Sequence, residues 1–151
     1  MRRCPRSPGL VEVPTSVEQQ AASPATSELR LPARASALGA ARKYVGEAAA
    51  AFGLDAEGCH EFVFAANEAV TNAIRHGAPD EQGHIQLAIA VQADRLTFVV
   101  RDYGTFVPSI PENSSRSEHG RGFALMARLV DEVQLSSEPG STTVRLSKAR
   151  A

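Results

Sequence analysis

From Glu61 to Gly77 the chain reads E-F-V-F-A-A-N-E-A-V-T-N-A-I-R-H-G, and Phe62, Ala65, Ala66, Ala69, Val70, Ala73 and Ile74 recur at helical spacing. That spacing predicts a helix with one face against a core. Glu68 and Asn72 fall outside the apolar set. Being four apart, they stand side by side on one helix surface. Ala69 and Ala73 next to them leave room for something bulkier than a side chain, which makes this helix the wall of a ligand site, and Gly77 is a fitting stop. Upstream, Leu38, Ala41, Tyr44, Val45 and Ala48 predict a second amphipathic helix from about Ser36 to Phe52, closed by Gly53. Asp55 is positioned to cap the helix that follows.

Beyond Gly77 the period changes to two. Ala78-Pro79-Asp80-Glu81-Gln82-Gly83 is turn chemistry. Ile85, Leu87, Ile89 and Val91 then alternate with smaller or polar residues, as do Leu96, Phe98 and Val100 after Ala93-Asp94, which predicts a hairpin with one buried face. Leu29, Leu31 and Ala33 alternate with Arg30, Pro32 and Arg34, a pattern suited to a short edge strand that tolerates proline. From Asp102 to His119 periodicity is lost, and a connection of that length within a domain is functional or mobile. Gly120-Arg121-Gly122 opens a helix through Phe123, Leu125, Met126, Leu129 and Val130. Val133 and Leu135, then Thr143, Val144 and Leu146, form a closing strand pair around Glu138-Pro139-Gly140-Ser141. Helices and mainly antiparallel strands in this order predict a two-layer α+β sandwich over residues 28–149.

Composition changes this picture in three ways. Residues 1–27 are rich in Pro, Ser, Thr, Ala and Gln, which predicts a flexible tail. A length of 151 residues suits one domain, and a formal charge of -1 gives no reason to expect nucleic acid or an acidic membrane as a direct partner. Two cysteines, Cys4 and Cys59, fit a reducing cytoplasm, and the sequence holds neither a signal-peptide pattern nor a membrane-length apolar run.

Three short stretches carry candidate chemistry. At Asn72 a carboxamide oxygen is a hard ligand suited to Mg2+, while the Glu68 carboxylate can orient or deprotonate an attacking hydroxyl. Asp102-Tyr103-Gly104 lies where the chain leaves a strand. An aspartate there can accept from an exocyclic amine, the contact that separates adenine from guanine, and Gly104 removes a Cβ from the path of the base. Gly120-Arg121-Gly122 at a helix start offers backbone N–H groups and the positive end of the helix dipole to phosphates.

In this combination and order the motifs resemble the Bergerat-fold (GHKL) ATP-binding domains, and among them the bacterial anti-sigma factor serine kinases. N-E-A-V-T-N-A-I-R-H-G is similar to that branch's N box, D-Y-G to its first glycine box, G-R-G-F-A-L-M followed by D-E-V to its second, and S-T-T-V-R-L-S-K to its closing strand. The resemblance implies an α/β sandwich with a mixed, mainly antiparallel sheet. It implies that Asn72 coordinates Mg2+, Glu68 acts as base, Asp102 reads adenine, Gly120 and Gly122 hold the ATP phosphates, and Thr142 or Thr143 supports the adenine end. It also implies a homodimer that sequesters a sigma factor and phosphorylates a serine on an anti-anti-sigma (STAS-domain) partner.

Two departures from the pattern stand out. Thr105-Phe106 follow Gly104, so the second glycine of D-x-G-x-G is missing, and the lid before Gly120 is short and without lysine, leaving Arg116, His119 and Arg121 to meet phosphates. They motivate an alternative: a regulatory module that binds ATP and sequesters a partner without phosphoryl transfer. Plainer readings also stand beside the individual motifs. Glu68 and Asn72 alone are compatible with a solvated helix face, Asp102-Tyr103-Gly104 with a turn, and Arg121 with a solvated side chain. His76 is read as complementing the helix dipole, His119 as a loop residue, Cys59 as structural, and Phe123 and Met126 as core.

Overall fold

The computed structural model describes residues 25–104 and 118–150, with residues 25 and 118–121 as backbone only. The elements are β1 (Ala25–Pro32), a 3-10 turn (Ala35–Ala37), α1 (Leu38–Phe52), α2 (Ala56–His76), β2 (His84–Gln92), β3 (Arg95–Asp102), α3 (Glu118–Leu129), β4 (Glu132–Glu138) and β5 (Ser141–Ala149). They form one five-stranded sheet in the order β1-β2-β3-β5-β4, with the helices packed on one face. All four pairings are antiparallel. The mixed component of the expected sheet therefore has no counterpart among the described residues.

The alternation along β2 and β3 works as the pattern demands. Ile85, Leu87, Ile89, Leu96, Phe98 and Val100 are buried, and register sets Leu87 opposite Val100 and Ile89 opposite Phe98. Val144 and Leu146 of β5 continue this apolar face beside Val100 and Phe98. Phe62 of α2 and Met126 of α3 close on it from the helical layer, both fully buried. Burial of this kind contributes about 1.5–3 kcal/mol for each large side chain.

Local signals explain most boundaries. Asp55 Oδ1 accepts the Gly58 N–H at 2.7 Å and caps α2. Gly53 ends α1 at φ 106°, a left-handed conformation that favours glycine. Gly77 also ends its helix, but for a different reason. Its φ of -96° and ψ of -159° are extended, so no left-handed cap is formed.

Three boundaries differ from expectation. A 3-10 turn precedes α1, which starts at Leu38 rather than Ser36. Strand β1 begins at Ala25, inside the segment expected to be tail, and pairs with β2 along its whole length, Pro32 standing opposite His84 at the sheet edge. The tail expectation for residues 1–24, and the connection at 105–117 with Arg116, lie outside the described residues. Finally, α3 starts at Glu118, so Gly120 and Gly122 lie within its first turns rather than at its opening.

Candidate functional site

A cleft opens between α2 and the β3-β5 part of the sheet, with α3 alongside. Its walls include Asn72, Ala73 and Gly77 of the α2 side, Asp102 and Gly104 at the end of β3, Thr142 of β5 and Phe123 of α3. The space between these atoms, open to solvent, is about 460 Å3. Ala69 and Ala73 do leave the helix face low, as their spacing suggests.

The sheet end is organised by Asp102. The residue is 7% exposed, and its Oδ1 accepts the Gly104 N–H at 2.9 Å. Burial pushes this carboxyl above the ordinary carboxylate value, and the N–H groups of Gly104 and Ala78 draw it back only in part. A carboxylate has about four lone-pair directions, so acceptor capacity remains for a ligand. Thr142 sits opposite Asp102 in the β3-β5 register and donates its hydroxyl to the Gly104 carbonyl at 3.3 Å. Gly104 is crowded, since an added Cβ would stand 3.1 Å from the Ala78 nitrogen. Thr143, one residue on, projects to the other sheet face, beside Arg101 and Arg145, and does not join the cleft.

The helical end is organised by Asn72 and Glu68. Asn72 Nδ2 is buried with no hydrogen-bond partner among the described residues. An orphaned buried donor costs about 1–3 kcal/mol, so its presence points to a ligand. Gly122 faces the same spot, and an added Cβ there would lie 3.3 Å from both Asn72 Nδ2 and Glu68 Oε1. The pair four residues apart on α2 thus converges on the glycine of α3. Since α3 starts at Glu118, Gly120 still has one of the free N–H groups of the first turn. The N–H of Gly122 falls within the helical ladder, and this residue acts through its missing side chain. The side chain of Arg121 is not among those described.

No three His, Cys, Asp or Glu side chains among the described residues converge as a metal cage. The donor set fits a cation that brings water and phosphate ligands and needs one or two protein oxygens, which is the habit of Mg2+. Sequence reasoning omitted His76, Gly77, Phe123 and Leu135 from the site, yet all line the cleft. Of these, Phe123 is expected in the core and Leu135 only in the closing strand pair, and their place at the seam gives them a ligand-facing surface. No helix among the described residues is long and apolar enough to cross a membrane.

Residues 31–148 match the family described as Histidine kinase-like ATPase domain. A serine-protein kinase RsbW of Bacillus velezensis is 31% identical over 134 residues, covering 80% of this chain and 83% of that protein. An anti-sigma F factor of Geobacillus stearothermophilus is 36% identical over 93 residues, covering 55% of this chain and 64% of that protein. Among solved structures, the RsbU and RsbW domains of a Mycobacterium tuberculosis protein share the fold. The TM-score there is 0.66 at 24% identity, over 84% of this chain and 33% of that one.

Proposed function

Since the chain belongs to the histidine kinase-like ATPase family, we propose that it is an ATP-dependent serine/threonine protein kinase that acts as an anti-sigma factor. Its phosphoryl acceptor is a serine of an anti-anti-sigma (STAS-domain) protein, and its regulatory target is a sigma factor held by a homodimer. The names of its relatives, serine-protein kinase and anti-sigma F factor, support this reading.

In this reading adenine lies at the sheet end, where Asp102 accepts its exocyclic amine and Thr142 and Gly104 shape the floor. The phosphates run toward α3, to the Gly120 N–H, the space left by Gly122, and Arg121. Asn72 would hold Mg2+ through Oδ1, leaving Nδ2 to donate to a phosphate oxygen. The ion supplies charge neutralisation of the phosphate oxygens. Glu68 takes the proton of the seryl hydroxyl as its oxygen bonds to the γ-phosphorus. The bond from that phosphorus to the bridging oxygen breaks, and ADP leaves.

The observation that carries the proposal is the buried, unpartnered amide of Asn72 beside Glu68 and beneath Gly122. Incubation with labelled ATP, Mg2+ and a STAS-domain partner tests it. Glu68→Gln should retain ATP binding and lose transfer by about two orders of magnitude or more. Equal transfer by the variant rejects Glu68 as base. Wild type that binds Mg2+-ATP and sequesters a sigma factor but transfers no label is instead a regulatory module, the outcome motivated by the missing glycine after Gly104.

A further inference from the structure

Lys148, near the end of β5, reaches under the helical layer and touches two helices at once. Its Nζ donates to Glu61 Oε1 of α2 at 3.4 Å and to the Leu129 carbonyl, the last of α3, at 3.2 Å. The two side chains are 18% and 31% exposed, so solvent screens this contact less than a surface pair. The lysine stem passes Gly58 at ordinary contact range, since an added Cβ there would lie 3.6 Å from Lys148 Cε.

The other end of α3 is where the chemistry is. Gly122 lies seven residues from Leu129, about 10 Å along the axis, against Asn72 and Glu68. Met126 and Val130 hold α3 on the core by apolar contact, which is non-directional, and the Asp131 N–H beyond the helix is held by the Ser147 carbonyl at 2.9 Å, which leaves the last carbonyl of α3 to another partner. An ammonium on a terminal carbonyl is directional, and the negative end of the helix dipole favours it.

We propose that Lys148 is a positioning residue for phosphate binding: by clasping the α3 terminus to Glu61 it sets the helix register that places Gly122 over Asn72 and Glu68. This rests on the ATP reading above, because it assigns the phosphates to α3 and the base to the sheet. The two ends of the nucleotide should therefore respond differently when the clasp is cut.

The test measures binding of Mg2+-ATP and of adenosine to the full chain. Lys148→Met, which keeps the stem and removes the charge, should weaken Mg2+-ATP about tenfold while adenosine changes less than about twofold, a tenfold change being worth about 1.4 kcal/mol. Lys148→Arg, which can still donate to both partners, should restore ATP affinity to within a few-fold. Glu61→Gln should reproduce the split more weakly, and serves where Lys148→Met folds poorly. Equal weakening of ATP and adenosine, or no change in either, overturns the positioning role. Failure of wild type to bind either ligand would reject the ATP reading itself, a separate outcome.

Discussion

Gly77 and Asp102 are in such close contact that a Cβ on the glycine would stand 2.4 Å from the aspartate Cγ and 2.6 Å from its Oδ2. The helix end and the carboxylate proposed to read adenine are thereby fitted to one another. Gly77→Ala should cost about 1–3 kcal/mol of stability through overpacking. Its Tm should fall, and adenosine affinity should fall further than the residual fold accounts for, because the carboxylate is the group that must move. Calorimetric melting and titration with adenosine read both.

Asp102→Asn should separate stability from recognition. Burial raises the folded carboxyl above its unfolded value, so its stabilising contribution is complete below the ordinary value of 3.8 and is lost as pH rises through the raised folded value. Wild type should therefore lose stability relative to the variant across that acidic window, and the variant should be at least as stable at neutral pH. The Gly104 N–H claims the amide oxygen, so the second position changes from acceptor to donor. Adenosine affinity should drop at least about tenfold, the cost of a mismatched donor, while inosine, with an acceptor in place of the amine, loses less. Melting curves against pH and the adenosine-to-inosine affinity ratio check the two arms.

Replacing Asn72 by leucine should make the fold more stable and the protein inactive. The substitution removes a buried donor that has no partner, a gain of about 1 kcal/mol. It also removes the side chain proposed to hold Mg2+, so ATP affinity should cease to depend on Mg2+. A variant that loses stability, or keeps the Mg2+ dependence, contradicts the assignment.

Gly122→Ala carries the same opposition on α3. Alanine gains about 0.5–1 kcal/mol in a helix, yet its methyl would press on Asn72 and Glu68 from 3.3 Å. Thermal stability should hold or rise while phosphoryl transfer falls at least about tenfold, as expected when reacting groups shift by a fraction of an ångström.

Much of this arrangement is written in local pattern. Helix α2, its Asp55 cap and the Glu68–Asn72 pairing follow from spacing alone, because periodicity and capping act over a few residues. The choice between Thr142 and Thr143 was within reach too. Val144 and Leu146 point inward, and a period of two then sends Thr142 inward and Thr143 outward. Gly77 shows the limit of such reading. A glycine after a helix suggests a left-handed cap, and only the distant Asp102 reveals that it serves as a close contact instead. The start of α3 at Glu118 was hidden because glycine marks boundaries more often than helix interiors, so Gly120-Arg121-Gly122 reads as the helix opening. Lys148 and Glu61 are 87 residues apart, with no periodic signal to join them.

The cleft lies at the seam between the layers, with Asp102 and Thr142 rooted in strands and Asn72 rooted in a helix, where Glu68 and Gly122 adjoin it. Affinity for the base alone then tolerates a loosened seam, whereas chemistry at the far end of the nucleotide needs both layers docked. On warming, catalysis should fade before adenosine is released and before either layer melts, so that turnover acts as a sensor of how tightly helices and sheet are pressed together.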